Sequence, residues 1–160
     1  LMLHALMLWQ PGIPMLYSGD EVGQLNDPSY KQDPKKAGDS RYLHRGRFPW
    51  KLAEEAQKNK DSIPGRLFDG LRRLEEFRSQ EAVMAKDAQC RVLELENPHI
   101  LCLQREKDGQ KLTGVFNFSS DSQKVFRKDL EGSTDCFGGK KETAAEIWME
   151  PYGFRIVKQI

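Results

Sequence analysis

Two adjacent residues, Asp20 and Glu21, are the first carboxylates of the chain and are of a type that can do acid–base chemistry. They follow the short apolar run at residues 13–17. Two carboxyl groups on either side of a substrate can act as nucleophile and as general acid/base. Neighbouring side chains of an extended segment, however, point to opposite faces. We therefore expect Asp20 and Glu21 to serve the structure at the end of a strand.

Further polar groups lie in one long segment, residues 18–46, which has no hydrophobic periodicity. Its carboxylates Asp27 and Asp33 are expected to be solvated, and His44 is expected to make hydrogen bonds within the loop. A loop of this length inside a compact domain is uncommon and is often functional. The segment also follows a predicted parallel strand, and α/β folds bind their ligands at the carboxyl ends of such strands.

The composition excludes several classes of function. Hydrophobic residues make up 38% and charged residues 31% of the chain, and no apolar run approaches the roughly 20 residues that span a bilayer. The 25 Lys and Arg residues balance 24 Asp and Glu, giving a net charge of +1 with no basic stripe. We expect neither a nucleic-acid nor a membrane partner. A neutral small molecule, or another part of the same protein, is the expected partner.

The three cysteines, Cys90, Cys102 and Cys136, are odd in number and lack a short Cys-x-x-Cys spacing. This spacing argues against a disulfide framework and against a zinc site. Free thiols in a reducing compartment are expected, which favours a cytoplasmic location. No metal and no cofactor are expected.

Periodicity predicts helices and one buried strand in the first half of the chain. Residues 1–9 contain good helix formers and end at a Pro-Gly breaker. Residues 13–17 are typical of a strand buried on both faces, as in a parallel sheet. A short charged helix is expected over 51–59, and a longer helix with one apolar stripe over 63–80. Helix, turn and buried strand in succession are typical of an α/β protein.

The second half has the pattern of an antiparallel β domain. Residues 91–96 alternate polar and apolar side chains over most of their length, and Asp108-Gly109 is a good hairpin turn. We expect a boundary near residue 83, so that the domains are 1–82 and 83–160. The further predicted strands cover 100–104, 112–118, 125–126, 147–149 and 154–157.

Residues 12–21, Gly-Ile-Pro-Met-Leu-Tyr-Ser-Gly-Asp-Glu, resemble the last barrel strand of the α-amylase superfamily, whose pattern is Gly-x-Pro-x-x-Tyr-x-Gly-Asp/Glu-Glu. Residues 25–27 and 39–45 are similar to the amylosucrase branch, which often has Trp at the place of Tyr42 and Pro at that of Gly46. The Pro-Tyr pair and apolar run at 151–157 resemble the superfamily's C-terminal domain. The implied fold class is an α+β fragment: the last strand and helix region of a (β/α)8 barrel, followed by an antiparallel β-sandwich.

The resemblance also implies a sugar-binding role for three residues. In the amylosucrase branch, an arginine at the position of Arg41 pairs with an aspartate of an earlier loop and closes the bottom of the glucosyl pocket. Arg45 and Asp39 are the other candidate substrate-binding residues. The alternative for Arg41 is a surface arginine paired with Asp39. No catalytic residue is expected, because the superfamily's carboxylates lie on the fourth and fifth strands and after the seventh, and this chain begins, apparently within a helix, just before the eighth.

The predicted function is that of a C-terminal fragment of a retaining, amylosucrase-like enzyme, acting on sucrose or an α-glucan in the intact protein. The alternatives are a fragment of an α-glucosidase or sucrose phosphorylase, and a non-catalytic carbohydrate-binding β module. The β half has no row of aromatic residues spaced for a flat sugar-binding face. Trp9, Trp50 and Trp148 could be sugar platforms, but they are expected to pack in cores. The β half is expected to stabilise the barrel. The exposed barrel edge predicts self-association, or partial disorder of about the first 60 residues, in the isolated chain.

Overall fold

In a computed structural model, residues 1–139 and 145–159 are described, and they form three helices and seven strands in two antiparallel sheets. The helices are α1 (Met2–Trp9), α2 (Trp50–Lys58) and α3 (Ile63–Gln80). The strands are β1 (Gln89–Val92), β2 (Ile100–Lys107), β3 (Gln110–Asn117), β4 (Gln123–Phe126), β5 (Thr134–Asp135), β6 (Glu146–Met149) and β7 (Phe154–Lys158). None of the described helices is both long and apolar enough to cross a membrane.

The three predicted helices are confirmed, and α3 shows why its pattern could be interpreted. The predicted apolar stripe is buried on one face of the helix, where Leu71 and Leu74 are each only 2% exposed, and the charged residues between them in the sequence are exposed. The Ser62 side chain accepts a hydrogen bond from the Gly65 backbone N–H at 3.1 Å, which satisfies a free donor of the first turn.

The chain divides into two compact units, residues 1–14 with 74–160, and residues 15–73. The first unit contains α1, the end of α3 and both sheets. The second contains the long polar segment and α2. The predicted domain boundary near residue 83 stays a prediction.

The larger sheet has the strand order β1-β2-β3-β7-β5, and the smaller one pairs β4 with β6. Strands β2 and β3 form the predicted hairpin, in which Lys107 pairs with Gln110 across Asp108 and Gly109. Both turn residues have positive φ values, 50° and 77°, which is the conformation that a two-residue hairpin turn requires. Strand β5 was not predicted, since two residues carry no periodic signal.

Two apolar clusters hold the first unit together in layers. One cluster joins α1 and the end of α3 to the five-stranded sheet, with Trp9 and Phe116 in edge-to-face contact at 6.3 Å between ring centroids. The other joins the opposite face of that sheet to the two-stranded sheet, through Cys102, Val115, Ile147 and other apolar residues. The five-stranded sheet is therefore covered on both faces.

The buried strand predicted over residues 13–17 is not formed. These residues have no strand hydrogen bonding, and Ile13 and Met15 are 92% and 81% exposed. A strand needs a neighbour for its backbone groups, and the strands of the described part of the chain all pair in the two antiparallel sheets. The side chains of Ile13 and Met15 consequently face solvent, and Leu16 is partly exposed.

Candidate functional site

The predicted site segment, residues 18–46, contains three short 3-10 turns: Asp20–Val22, Pro28–Gln32 and Ser40–Leu43. Aspartates precede the last two, and their side chains accept hydrogen bonds from backbone N–H groups two residues ahead. The Asp27 carboxylate bonds Ser29 at 2.9 Å, and the Asp39 carboxylate bonds Arg41 at 3.0 Å. Carboxylates in this arrangement fix turns.

One backbone hydrogen bond brings the second and third turns together. The Asp27 N–H donates to the Leu43 carbonyl at 2.7 Å. The two stretches that carry the amylosucrase-like residues, 25–27 and 39–45, therefore lie side by side in the second unit.

Asp39 and Arg41 form a two-pronged ion pair. Arg41 Nε donates to both carboxylate oxygens, at 2.8 and 3.0 Å, and Nη2 donates to Oδ2 at 2.7 Å. These hydrogen bonds, with the positive charges of Arg41 and Arg45, lower the pKa of Asp39 to about 2. Asp39, the alternative partner expected for Arg41, is thus the residue that Arg41 contacts in this structure. The Arg41 side chain is 65% exposed.

Arg45 lines a cavity of about 500 Å³ in the same segment. The lining also includes the rings of Tyr30 and Tyr42 and the carboxylates of Asp27 and Asp33. Asp39 and Arg41 lie outside this lining, among the described residues. The structure therefore gathers all three predicted residues in one segment but brings only Arg45 to the cavity wall.

A lysine extends the positive charge at the cavity. Lys36 Nζ lies 3.4 Å from the Asp33 carboxylate and 5.8 Å from the centre of the Tyr42 ring. With Arg47, the lining holds three cationic side chains, two carboxylates and two tyrosines, which offer hydrogen-bond donors and acceptors to a polar ligand. Among the described residues no group of three or more His, Cys, Asp or Glu side chains could hold a metal ion.

The first carboxylates of the segment have structural contacts. Glu21 Oε2 accepts a hydrogen bond at 2.8 Å from the N–H of Gly19, whose φ of 102° suits glycine. At the start of the same segment, the Tyr17 ring contacts the His44 ring edge-to-face, with 5.6 Å between centroids. Glu21 closes a turn, as its position after the apolar run indicates.

Sequence reasoning missed the two tyrosines of the lining, and it expected Asp27 and Asp33 to be solvated; Asp27 is exposed in the structure, and both aspartates also line the cavity. A local signal was available, because each of these aspartates precedes a proline. Asp-Pro favours the start of a turn and so a fixed side-chain direction. That the turns would enclose a cavity depended on contacts between distant residues, such as that of Asp27 with Leu43.

Comparison with known proteins gives relatives that match nearly the whole chain. The cyclomaltodextrinase of Thermoanaerobacter pseudethanolicus is 25% identical over 149 residues, which are 92% of this chain and 22% of that protein. The glucosylglycerate phosphorylase of Escherichia coli is 24% identical over 158 residues, 99% of this chain and 28% of that protein. The chain therefore spans about a quarter of the length of these curated relatives. No protein-family model matches it.

Solved structures match over the same extent. The cyclic α-maltosyl-(1→6)-maltose hydrolase of Arthrobacter globiformis has a TM-score of 0.67 at 21% identity, covering 99% of this chain and 30% of that one. AmyP in complex with maltose has a TM-score of 0.73 at 15% identity, covering 98% and 33%. The isomaltulose synthase of Erwinia rhapontici, a mutant bound to sucrose, has a TM-score of 0.66 at 17% identity, covering 98% and 37%.

These matched proteins are α-amylase-superfamily enzymes. At such identities the structural matches show the fold alone, a small α+β arrangement with antiparallel sheets. The sequence matches cover 92% and 99% of the chain, and the expected superfamily resemblance likewise covers nearly all of it, being strongest over residues 12–45. They do not single out the amylosucrase branch.

Proposed function

We propose that this chain is the C-terminal part of a retaining α-glucoside-active enzyme of the α-amylase superfamily, of the amylosucrase type. In the proposed reaction, a glucosyl group passes from sucrose to a carboxylate elsewhere in the enzyme, releasing fructose. It then passes to an acceptor, which is a glucan, a sugar or water. The observation that carries the proposal is the Asp39–Arg41 pair beside the cavity lined by Arg45, in the segment that resembles amylosucrase.

The geometry of Arg41 supports a role in holding a second carboxylate. Asp39 occupies the Nε edge of the guanidinium. A guanidinium has five N–H donors in a planar fork, so Nη1 and the second Nη2 hydrogen can serve another acceptor. Under this proposal, Asp39 orients Arg41, and Arg41 binds an aspartate from an earlier part of the enzyme to close the glucosyl pocket. Arg45 hydrogen-bonds the sugar.

The chemistry itself is assigned to residues outside this chain. A retaining mechanism needs two carboxyl groups about 5–5.5 Å apart. Here Glu21 closes the turn at Gly19, and Asp27 and Asp39 cap turns. This chain alone should therefore bind sugar weakly and cleave none. The exposed apolar residues at 13–17 would be covered by the other strands of the barrel, and in the isolated chain they would favour self-association.

The test compares the purified chain with the full product of its gene, both supplied with sucrose. We expect fructose release by the longer protein and none by the chain alone. Arg41→Lys should lower the rate of the longer protein by about a hundredfold, because a lysine cannot hold two carboxylates in a plane. The matched control is Arg66→Lys on the exposed face of α3, which should leave the rate unchanged. Sucrose cleavage by the chain alone, abolished by Glu21→Gln, would contradict the proposal.

Phosphorolysis is the second candidate, favoured by the match over 99% of the chain to a glucosylglycerate phosphorylase. In that reaction inorganic phosphate, rather than a sugar or water, accepts the glucosyl group. Adding phosphate to the same assay distinguishes the two. Glucose 1-phosphate in place of free glucose or glucan would replace the amylosucrase-type assignment with this one.

A further inference from the structure

The two-stranded sheet presents aromatic side chains to solvent, contrary to the expectation that Trp148 packs in a core. Trp148 on β6 is 57% exposed and Phe126 on β4 is 69% exposed. On the opposite face of the same strands, Val125, Ile147 and Met149 are at most 2% exposed. The inner side chains pack this sheet on its neighbour, and within the described residues the two outer aromatics take no part in that packing.

The register places both rings on one face. Lys124 pairs with Trp148, and Phe126 pairs with Glu146. Trp148 and Phe126 are therefore diagonal neighbours, about 7–8 Å apart at this kind of position. The two other corners of the face hold a salt bridge, with Lys124 Nζ at 2.5 Å from a Glu146 carboxylate oxygen. The same Nζ lies 6.0 Å from the centre of the Trp148 ring. We call these four residues the outer platform.

A groove of about 710 Å³ adjoins the platform at Phe126. Residues 94–97 form one wall, and residues 124–129 form the other. Its charged side chains are three acidic and three basic ones: Glu94, Glu96, Asp129, Lys124, Arg127 and Lys128. Arg127 and Asp129 pair in the lining, with Nε–Oδ1 and Nη2–Oδ2 distances of 2.9 and 2.5 Å. Charge is thus balanced in the groove, as it is on the platform.

These features select a neutral ligand that is both apolar and rich in hydroxyls. Balanced charge gives an anionic or cationic polymer no net attraction. Aromatic faces attract C–H groups that carry a small positive charge, such as those on the faces of a sugar ring. The paired carboxylates and ammonium or guanidinium groups offer acceptors and donors to the hydroxyls at the ring's edge.

A second copy of the chain fits this surface less well. The face is two strands wide and four residues long, roughly 14 Å at the usual rise per residue. A stable protein interface needs about 800 Å² from each partner. The helical layer lies across the five-stranded sheet from the platform, because its apolar cluster occupies the other face of that sheet. The platform thus faces away from α1 and from the end of α3 after residue 74.

We propose that the outer platform and its groove form a second, non-catalytic binding site for an α-glucan chain, with Trp148 and Phe126 each packing against a sugar ring. The choice of an α-glucan among neutral sugars rests on the proposed function. Binding at this site would hold a polymeric substrate or product on the enzyme independently of the pocket near Arg45.

The three tryptophans provide the test, since each indole N–H gives one signal in a nitrogen–proton NMR spectrum of the whole chain. Maltoheptaose should shift the Trp148 signal and leave those of Trp9 and Trp50 in place. Trp148→Ala and Phe126→Ala should each weaken maltoheptaose binding by about tenfold, the loss of one aromatic contact. Trp50→Ala is the matched control, because Trp50 is 72% exposed and lies in the other unit, and it should bind like the unchanged chain.

Three results would overturn the proposal. The first is a Trp148 signal that does not move, together with unchanged binding in the two platform variants. The second is equal affinity for cellohexaose, which would remove the α-glucan assignment. The third is a Trp148 shift that depends on protein concentration without sugar and accompanies dimer formation, which would assign the platform to a second copy. Because this readout is binding and not fructose release, its failure leaves the proposed reaction to the separate test at Arg41.

Discussion

Each of the two units of the chain is stabilised internally by a different kind of interaction. In the first, residues 1–14 and 74–160, apolar clusters cover the central sheet on both faces. In the second, residues 15–73, the site segment is held by aspartate-capped turns and surface ion pairs, and no residue from 23 to 55 is buried. Buried apolar area contributes most of a fold's stability, whereas exposed ion pairs contribute about 0–1 kcal/mol each.

Arginines make the same contrast. Arg41 in the second unit lies at the surface, where Asp39 is its partner. Arg105 in the first is completely buried, and it donates to three backbone carbonyls: Trp9 at 2.7 Å, Val83 at 3.0 Å and Ala85 at 2.6 Å. The exposed Arg41 can still donate hydrogen bonds to a ligand. Arg105 links α1 and the 82–84 turn to strand β2.

The largest predicted effect is that of Arg105→Met. Removing the guanidinium leaves three buried carbonyls without their donor, and we expect the free energy of unfolding to fall by about 3–5 kcal/mol. Urea denaturation followed by circular dichroism measures it. The control is Lys107→Met on the same strand, whose ammonium pairs with Asp87 at the surface and whose loss should cost less than about 1 kcal/mol. Equal effects of the two variants would remove the contrast between the units' arginines.

A smaller effect is expected of Arg78→Met. Arg78 lies on α3, and its side chain contacts the end of α1. The Arg78 guanidinium donates to the carbonyls of Leu8, Gln10 and Gly12, the last at 2.8 Å, and so caps the C-terminal end of this helix. Its loss should cost about 2 kcal/mol, because these carbonyls are less buried than those at Arg105 and water can replace the arginine. The same denaturation measures it, and Arg72→Met on the exposed face of α3 is the control. A cost as large as that of Arg105→Met would mean that helix capping matters as much as burial here.

Most helices and strands of the described residues could be predicted from the sequence because their signals are local. The spacing of leucines in α3, the Asp108-Gly109 turn and the alternation around β3 each need only neighbouring residues. The strand predicted at 13–17 shows the limit. Its apolar pattern is real, but a strand depends on a partner, and the strands of the described residues pair elsewhere.

The candidate site was less predictable for the same reason. Asp39, Arg41 and Arg45 could be selected from a resemblance, and their closeness follows from their spacing. The cavity wall depends on the contact between Asp27 and Leu43, 16 positions apart, which no local pattern indicates. The outer platform was missed because alternation shows which residues of β4 and β6 share a face, but not which face is buried. The structure settles this by placing Val125 and Ile147 inside.

The smallest predicted effect on stability concerns Asp39, whose protonation reports directly on the pair with Arg41. Because Arg41 lowers the Asp39 pKa from 3.8 to about 2, the pair favours the folded loop fully above pH 3.8, and its contribution is lost as pH falls through 2. In carbon-13 NMR titrations, Arg41→Gln should move the Asp39 midpoint back toward 3.8. Arg66→Gln, on the exposed face of α3, should leave it near 2. If the midpoint is already close to 3.8 in the unchanged chain, Arg41 does not hold Asp39 in solution, and the proposed orientation of Arg41 by this carboxylate fails. If the Asp39 midpoint is near 2 and rises only with Arg41→Gln, the Asp39–Arg41 pair is formed in solution. The second unit then holds an ordered ion pair beside the proposed sugar pocket.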